Sequence, residues 1–524
     1  MTAGTDSERA PLLGESSAPH HGIANGNHVD THAHDSTLLP TTRDTPPSRR
    51  LLIAALLALL CISIAISGSL VDTSMYEIIE GIICDRVHGA LENTTNRDCR
   101  DADVQSQLSS LMGVLQSAEM VPGLIFTVPY GALADRYGRV KFLGLSMLGL
   151  SLHMTAMAVV LARPDFFPLR LLWLCPSFLV VGGGLMVANS MVYAAVADLA
   201  TDEQRSGAFM YTGSLFMAGI LIARPVTYFV MNRSAWFAMK LGVVWLGVST
   251  IIAFCVPETL HVEVAVETAP VAVEVPTEGK PPLGRMFSNA KASFTKTIKT
   301  ARWLFWEQKL VGFLLIGLAF EILGKAIDFI APQYLAKRYN LSYQEVGLLK
   351  SVDMITTMVL LLAILPVAGH YLTTKLGLSA REKDLRLAQV SAVIAALGTL
   401  VVALADTIPE LIAGMVTFNL GGGYTYVLRG LMTSLVAGHN IGLMFSCIAF
   451  VENVMYLVAP ILYARLLSRG LETWIGLPYL VSGLILVAAA VLIGVIRGSL
   501  VGESSTVGEG GEGDEIQNEE RPER

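Results

Sequence analysis

Long uninterrupted apolar runs, separated by short polar turns, dominate the pattern along this chain. Twelve runs stand out, near residues 50–71, 108–130, 142–162, 169–195, 206–230, 236–256, 310–335, 345–368, 387–405, 408–437, 441–464 and 475–496. A bilayer core about 30 Å thick takes about 20 helical residues to cross, and these runs cluster around that length. In lipid every backbone N–H and C=O must be paired inside its own element, which leaves helices or a closed barrel. Barrel strands alternate apolar and polar positions, whereas the stretch Leu51-Leu-Ile-Ala-Ala-Leu-Leu-Ala-Leu-Leu60 is apolar throughout. The pattern therefore predicts an all-α polytopic membrane protein with twelve transmembrane helices. The first run follows a polar tail and has no small-residue cleavage site, so a retained span is expected.

Composition agrees. Apolar residues make up 53% of the chain and charged residues only 15%, against roughly a quarter charged in soluble domains. Lipid must solvate much of the surface. The net charge of -7 is mild, and no basic block is interleaved with aromatics, so a nucleic-acid partner is not expected. No Gly-x-x-x-x-Gly-Lys-Ser/Thr loop is present to cradle nucleotide phosphates. No Ser/His/Asp arrangement suggests hydrolysis, so the chain is not expected to be an enzyme. Neither a cofactor nor a metal is expected: His20, His21, His28, His32 and His34 lie in a tail whose composition reads as disordered.

Polar stretches divide the chain. Residues 1–49 and the acidic 498–524 are expected to be disordered tails. The gap 257–309 separates a six-helix half, 50–256, from a second, 310–497. Within the gap, Arg285, Lys291, Lys296, Lys299 and Arg302 alternate with Phe287, Phe294, Ile298 and Trp303, as in a basic helix lying on a membrane surface. The halves echo each other: Val181-Gly-Gly-Gly184 in span 4 has its counterpart in Leu420-Gly-Gly-Gly423 of span 10. Such clusters permit close helix contact or a local bend.

With both tails cytosolic, 22 of the 37 basic residues fall inside and 11 outside, in line with the positive-inside rule. Asn93, Asn232 and Asn340 each begin an Asn-X-Ser/Thr glycosylation site, and all three then fall outside. Asn232 lies close to the membrane and is the least favoured. Cys84 and Cys99 share the largest outside loop, where a disulfide would brace it. Glu8-Arg-Ala-Pro-Leu-Leu13 matches an acidic dileucine sorting pattern, which keeps a vacuolar location beside the expected plasma membrane.

The most specific segment is Gly131-Ala-Leu-Ala-Asp-Arg-Tyr-Gly-Arg-Val-Lys141, between spans 2 and 3. Gly131 and Gly138 allow a tight turn. Asp135 can pair with Arg139 or a neighbouring helix end, and Arg136 and Lys141 hold the loop inside. This segment resembles the signature loop of the major facilitator superfamily, and Pro257-Glu-Thr259 resembles another of its motifs. Tyr76-Glu-Ile-Ile-Glu-Gly-Ile-Ile-Cys84, Val128-Pro-Tyr-Gly-Ala-Leu-Ala-Asp135, Lys383-Asp-Leu-Arg-Leu-Ala-Gln-Val-Ser391 and Val451-Glu-Asn453 resemble a fungal branch distantly similar to the proton-coupled folate transporter family. The resemblance implies two pseudo-symmetric six-helix halves, a substrate path between them, and alternating access gated by the Gly131–Lys141 loop. Drug–proton antiporters of the superfamily carry a Gly-Pro pattern in span 5; here that stretch reads Gly219-Ile-Leu-Ile-Ala-Arg-Pro225, which leaves the direction of transport open.

Ionisable groups at membrane depth are costly and normally face a bundle interior or a wet path. Here they are Glu119 in span 2, Glu321, Lys325 and Asp328 in span 7, Lys350 and Asp353 in span 8, Arg429 in span 10 and Glu452 in span 11. At mid-depth spans 3, 6, 9 and 12 carry only His153, which reads as a packed histidine. Spacing of four and three residues places Glu321, Lys325 and Asp328 on one helix face, so Lys325 is expected to bridge both carboxylates. That trio reads as a proton-coupling ladder or as a fixed structural bridge. Glu119 and Glu452 have no partner in their own helices, which makes them candidate proton carriers. Arg429 reads as an anion-binding group or an anchor, and Arg224 as a residue reaching out to the surface. The expectation is a monomeric, proton-coupled transporter exporting a small organic solute, with uptake of a nutrient or organic anion as the alternative. A membrane nutrient sensor signalling through its tails is a further alternative.

Overall fold

The computed structural model describes residues 47–89, 99–199, 205–259, 309–435 and 441–509. Most of both tails, Asn93 and nearly all of the 257–309 gap lie outside the described residues. Twelve described helices are long and apolar enough to cross a membrane. Spans 1, 2 and 3 are single helices, Pro47–His88, Ala102–Tyr137 and Arg139–Ala162. Spans 5 and 6 are Arg205–Met231 and Ala235–Cys255. Spans 9, 11 and 12 are Ala380–Leu404, Ile441–Glu472 and Leu477–Glu509. Span 12 thus runs beyond the end near 496 that hydropathy suggests.

Four spans are interrupted, each for a local reason. Span 4 opens as a tight 3-10 segment, Leu169–Val180, then breaks and resumes as the helix Gly184–Leu199. At the break Gly182, Gly183 and Gly184 adopt φ of 82°, 80° and 72°, a region that a side chain disfavours. A Cβ on Gly182 would lie 2.4 Å from the Ser146 backbone nitrogen, so the glycines also let span 3 approach. The Tyr130 hydroxyl donates to the Val180 carbonyl and accepts from the Gly182 N–H, pairing backbone that the break exposes. Span 10 divides likewise into Ile408–Leu420 and Gly423–Leu435, where a Cβ on Gly421 would meet Ala395 of span 9 at 2.5 Å. Both glycine clusters therefore serve interruption and close packing together.

Span 7 runs as the helix Lys309–Lys325, tightens into a 3-10 turn over Ala326–Phe329, and continues as the helix Ala331–Tyr339. Span 8 comprises Tyr343–Leu349, Ser351–Val359, a wide π turn over Leu360–Ile364, and Leu365–Thr374. The π turn sits just ahead of Pro366, which has no N–H to give the ladder.

Buried apolar side chains form three clusters. One is confined to the first half and includes Ile53, Leu60, Leu143 and Val192, from spans 1, 3 and 4 near the end where span 1 begins. A second, with Leu314, Leu385, Tyr424 and Ile493, lies wholly in the second half at that same end. The third and largest joins the halves, placing Ile79 and Leu108 with Tyr334, Tyr343 and Tyr463. The halves are thus sealed together at the end opposite the one where span 1 begins.

Candidate functional site

A cavity of about 520 Å³ lies between the halves, lined from spans 1, 2 and 5 on one side and 7, 8 and 11 on the other. Its charged lining is Asp72, Glu119, Arg224, Lys325, Asp328 and Lys350. Phe329, Tyr456 and three methionines supply apolar wall; methionine packs adaptably against varied shapes.

Glu321 is 1% exposed, and its Oε1 lies 3.2 Å from Lys325 Nζ one turn on, while Thr425 of span 10 donates to Oε2 at 2.8 Å. Lys325 does not bridge to Asp328. Asp328 lies in the 3-10 turn Ala326–Phe329, where residues three apart eclipse, so position along span 7 does not choose its partner; the packing of span 8 does. Asp328 pairs with Lys350 of span 8 at 3.0 Å, and Lys350 also reaches Asp353 at 3.3 Å. Asp353 is buried, and Asn419 of span 10 donates to its Oδ1 at 2.7 Å. The bridging lysine is therefore Lys350.

Two carboxylates without a partner on their own helix find one on another. Glu119 meets Nε2 of His153, from span 3, at 3.2 Å; the ring is 1% exposed. Glu452 accepts from Arg429 of span 10. His153 is a packed ring, as its surroundings suggest, and it gives the cavity-lining Glu119 a hydrogen-bond partner from span 3. Arg224 does not reach for the surface: it lines the cavity, and its buried Nε has no hydrogen-bond partner. Asp72 is a cavity residue that hydropathy conceals, because it stands one position past the first apolar run. The helix continues to His88, and the helical repeat through Tyr76-Glu-Ile-Ile-Glu80 is the sequence signal for that extension.

The loop between spans 2 and 3 is pinned to its own half. Arg139 donates to Asp198 at 2.8 Å and to the Ala194 carbonyl at 2.6 Å, both at the end of span 4, and lies 3.5 Å from Asp135. Glu258 accepts from the Arg139 and Thr259 backbone N–H groups, and Thr259 donates to Asp198. Gly138, at φ 111°, leaves the room that Glu258 fills: a Cβ would lie 2.3 Å from its Oε2. Arg136 lies over the Tyr137 ring at 5.4 Å; Gly131 is inside the span 2 helix and Lys141 inside the span 3 helix, so Gly138 alone makes the turn expected from the two glycines. Asp198, just past the end of an apolar run, carries no sequence signal of this role. At the opposite end, Cys84 and Cys99 form a disulfide with Cα atoms 5.2 Å apart. Asn340 ends span 7 in the left-handed region at φ 52°, and Asn232 accepts from Gln344 at 2.9 Å. Among the described residues no group of His, Cys, Asp and Glu is arranged to hold a metal.

Known proteins resemble this chain in sequence and in fold. Residues 102–460 match the family model described as Major Facilitator Superfamily. The chain is 28% identical over 459 residues to the MFS efflux pump atnC of Emericella nidulans, covering 83% of this chain and 87% of that one. It is 25% identical over 432 residues to the efflux pump ustT of Aspergillus flavus, covering 80% and 83%. Among solved structures, the nucleoside transporter NupG superposes with a TM-score of 0.59 at 12% identity, covering 85% of this chain and 98% of that one. At that identity the likeness concerns the fold alone.

Proposed function

Because this chain belongs to the Major Facilitator Superfamily, and so is a multi-pass membrane transporter of small molecules rather than an enzyme, we propose that it exports a small organic metabolite in exchange for protons. The observation that carries this reading is the cavity, which takes acids and bases from both halves at membrane depth. Burying such groups costs about 2.5–3.5 kcal/mol each on insertion scales, a cost that a transport path explains. Relatives named efflux pumps support the outward direction.

Glu119 is the proposed proton acceptor facing the cavity, with His153 behind it. The Glu321–Lys325 and Lys350–Asp328–Asp353 groups couple protonation to the packing of spans 7, 8 and 10, and Arg429–Glu452 does the same between spans 10 and 11. Both termini lie in the cytosol in this reading, the protein works as a monomer in the plasma membrane, and the present conformation faces the cytosol. Asn340, and Asn93 outside the described residues, are then glycosylation sites. A second reading, in which the cargo is an organic anion, is favoured by Arg224, whose guanidinium lines the cavity without a hydrogen-bonded acceptor at Nε.

Metabolite profiles of cells and medium from producing, deletion and overexpressing strains test the function. A compound retained by the deletion strain and released on overexpression establishes export. One left in the medium by the deletion strain establishes uptake. No change in either compartment favours a sensor, which deletion of the tails would silence while leaving a transporter's flux intact.

A further inference from the structure

The end sealed between the halves is held by a polar network in addition to apolar packing. Glu80 of span 1 is buried and accepts from Gln105 of span 2 and, at 3.3 Å, from the Tyr343 hydroxyl of span 8. Gln333 of span 7 donates to the Gln105 carbonyl at 2.6 Å and to its Oε1 at 3.0 Å. Arg100, in the turn before span 2, lies 3.7 Å from Glu80 and donates to the Leu341 carbonyl of the second half at 2.5 Å. Its guanidinium lies 5.8 Å from the centre of the Tyr343 ring, and its own carbonyl accepts from Lys337. Arg100 therefore touches one acid of its own half and three residues of the other.

Its position is set covalently. Cys84 stands one helical turn beyond Glu80 on span 1, and Cys99 is the residue before Arg100. The bond between them fastens the turn that carries Arg100 back beside Glu80. Arginine suits the task, because its planar fork serves a carboxylate and a carbonyl at once while stacking on a ring.

We propose that Arg100, held in place by the Cys84–Cys99 disulfide, is the latch that keeps this end of the transporter closed and sets how often the cavity opens there. The proposal rests on the transport reading, since opening at this end is the other half of an alternating-access cycle. For the end to open, Arg100 must exchange Leu341, Lys337 and the Tyr343 ring for water, and the stacked Tyr76 and Tyr343 rings, 5.7 Å apart, must separate. Loss of one hydrogen bond to a charged group changes such an equilibrium about tenfold or more.

The full-length protein in lipid nanodiscs gives the test. Cys255 is the exposed free cysteine among the described residues, and Cys61, Cys175 and Cys447 are buried. In a C255S background, spin labels at Asp165→Cys and Thr473→Cys report the distance between the two halves at this end by double electron–electron resonance. Both positions are exposed and stand outside the latch. The parent should give one short distance. R100A should raise a longer population about tenfold, C84S/C99S should raise it in the same direction, and R100K should have a smaller effect. If R100A does not fold, E80Q and R100K carry the comparison. An unchanged distribution in all of these variants overturns the latch, and a response to R100A without one to C84S/C99S overturns the role of the disulfide. The distance requires no cargo, so a failed latch leaves the transport reading untouched. Absent flux in the metabolite profiles would conversely leave the distance result standing.

Discussion

Lys350 Nζ lies 3.0 Å from Asp328 Oδ1 and 3.3 Å from Asp353 Oδ2, so that one cation joins spans 7 and 8 and compensates two acids. Asp353 is 5% exposed; removing its cation leaves a buried charge. Breaking one partner of a buried pair costs on the order of 3–5 kcal/mol. Purified K350A is expected to melt well below the parent, and K350A/D353N is expected to recover most of the loss. A double variant as unstable as K350A would show that the bridge is not what stabilises this site.

Glu119 faces the cavity and meets the buried His153 at 3.2 Å. E119Q keeps the hydrogen-bonding shape and removes the titration. With the cargo identified by metabolite profiling, E119Q is expected to lose at least about tenfold of the flux driven by a pH gradient, with surface expression unchanged. E321Q is expected to behave in the same way, while H153Q should shift the pH profile of flux without abolishing it. Unaltered pH dependence in E119Q and E321Q would remove both from the coupling path.

Gly182 is held at φ 82° with the Ser146 nitrogen where a side chain would stand. G182A should cost several kcal/mol through strain and overlap together and should abolish monodisperse protein in detergent. Gly247, whose added Cβ would meet nothing within 4 Å, is the control: G247A should purify like the parent.

Arg139, Asp198 and Glu258 pin the signature loop to span 4 and the Pro257-Glu-Thr259 segment. R139Q and D198N remove the same 2.8 Å contact, so their effects on transport rate should not add. Each alone is expected to reduce flux about tenfold, and the double variant little further. Strictly additive losses would mean that the two residues act separately.

Digestion of the purified protein with an N-glycosidase reads the orientation. The mobility shift should shrink in N340Q and in N93Q, and no shift in the parent would argue against the cytosolic placement of both termini.

Some of this is legible along the chain because it depends on neighbours in sequence. Hydropathy runs define the twelve spans, since lipid forces each backbone to pair with itself over a fixed thickness. The loop from Gly131 to Lys141 and the Pro257-Glu-Thr259 segment are local motifs, and the charges from Glu119 to Glu452 stand out against apolar surroundings. The glycine clusters of spans 4 and 10 likewise announce close packing or a bend before any fold is known. Partnership between spans is a different matter. Whether Asp328 meets Lys325 or Lys350 turns on where span 8 packs against span 7, which periodicity along a single helix does not register. His153 meets Glu119, Arg429 meets Glu452 and Arg100 meets Leu341 across long stretches of intervening chain, so only the packing of helices brings them within reach. Asp72 becomes a cavity residue because span 1 outruns its own apolar stretch, and Arg224 faces inward because span 5 packs against spans 1 and 8. Residue order alone thus dictates which segments enter the membrane and where charge must be compensated. Which charge compensates which is a property of the assembled bundle, because a buried ion is stabilised only by groups within a few ångströms, and helix packing sets those distances.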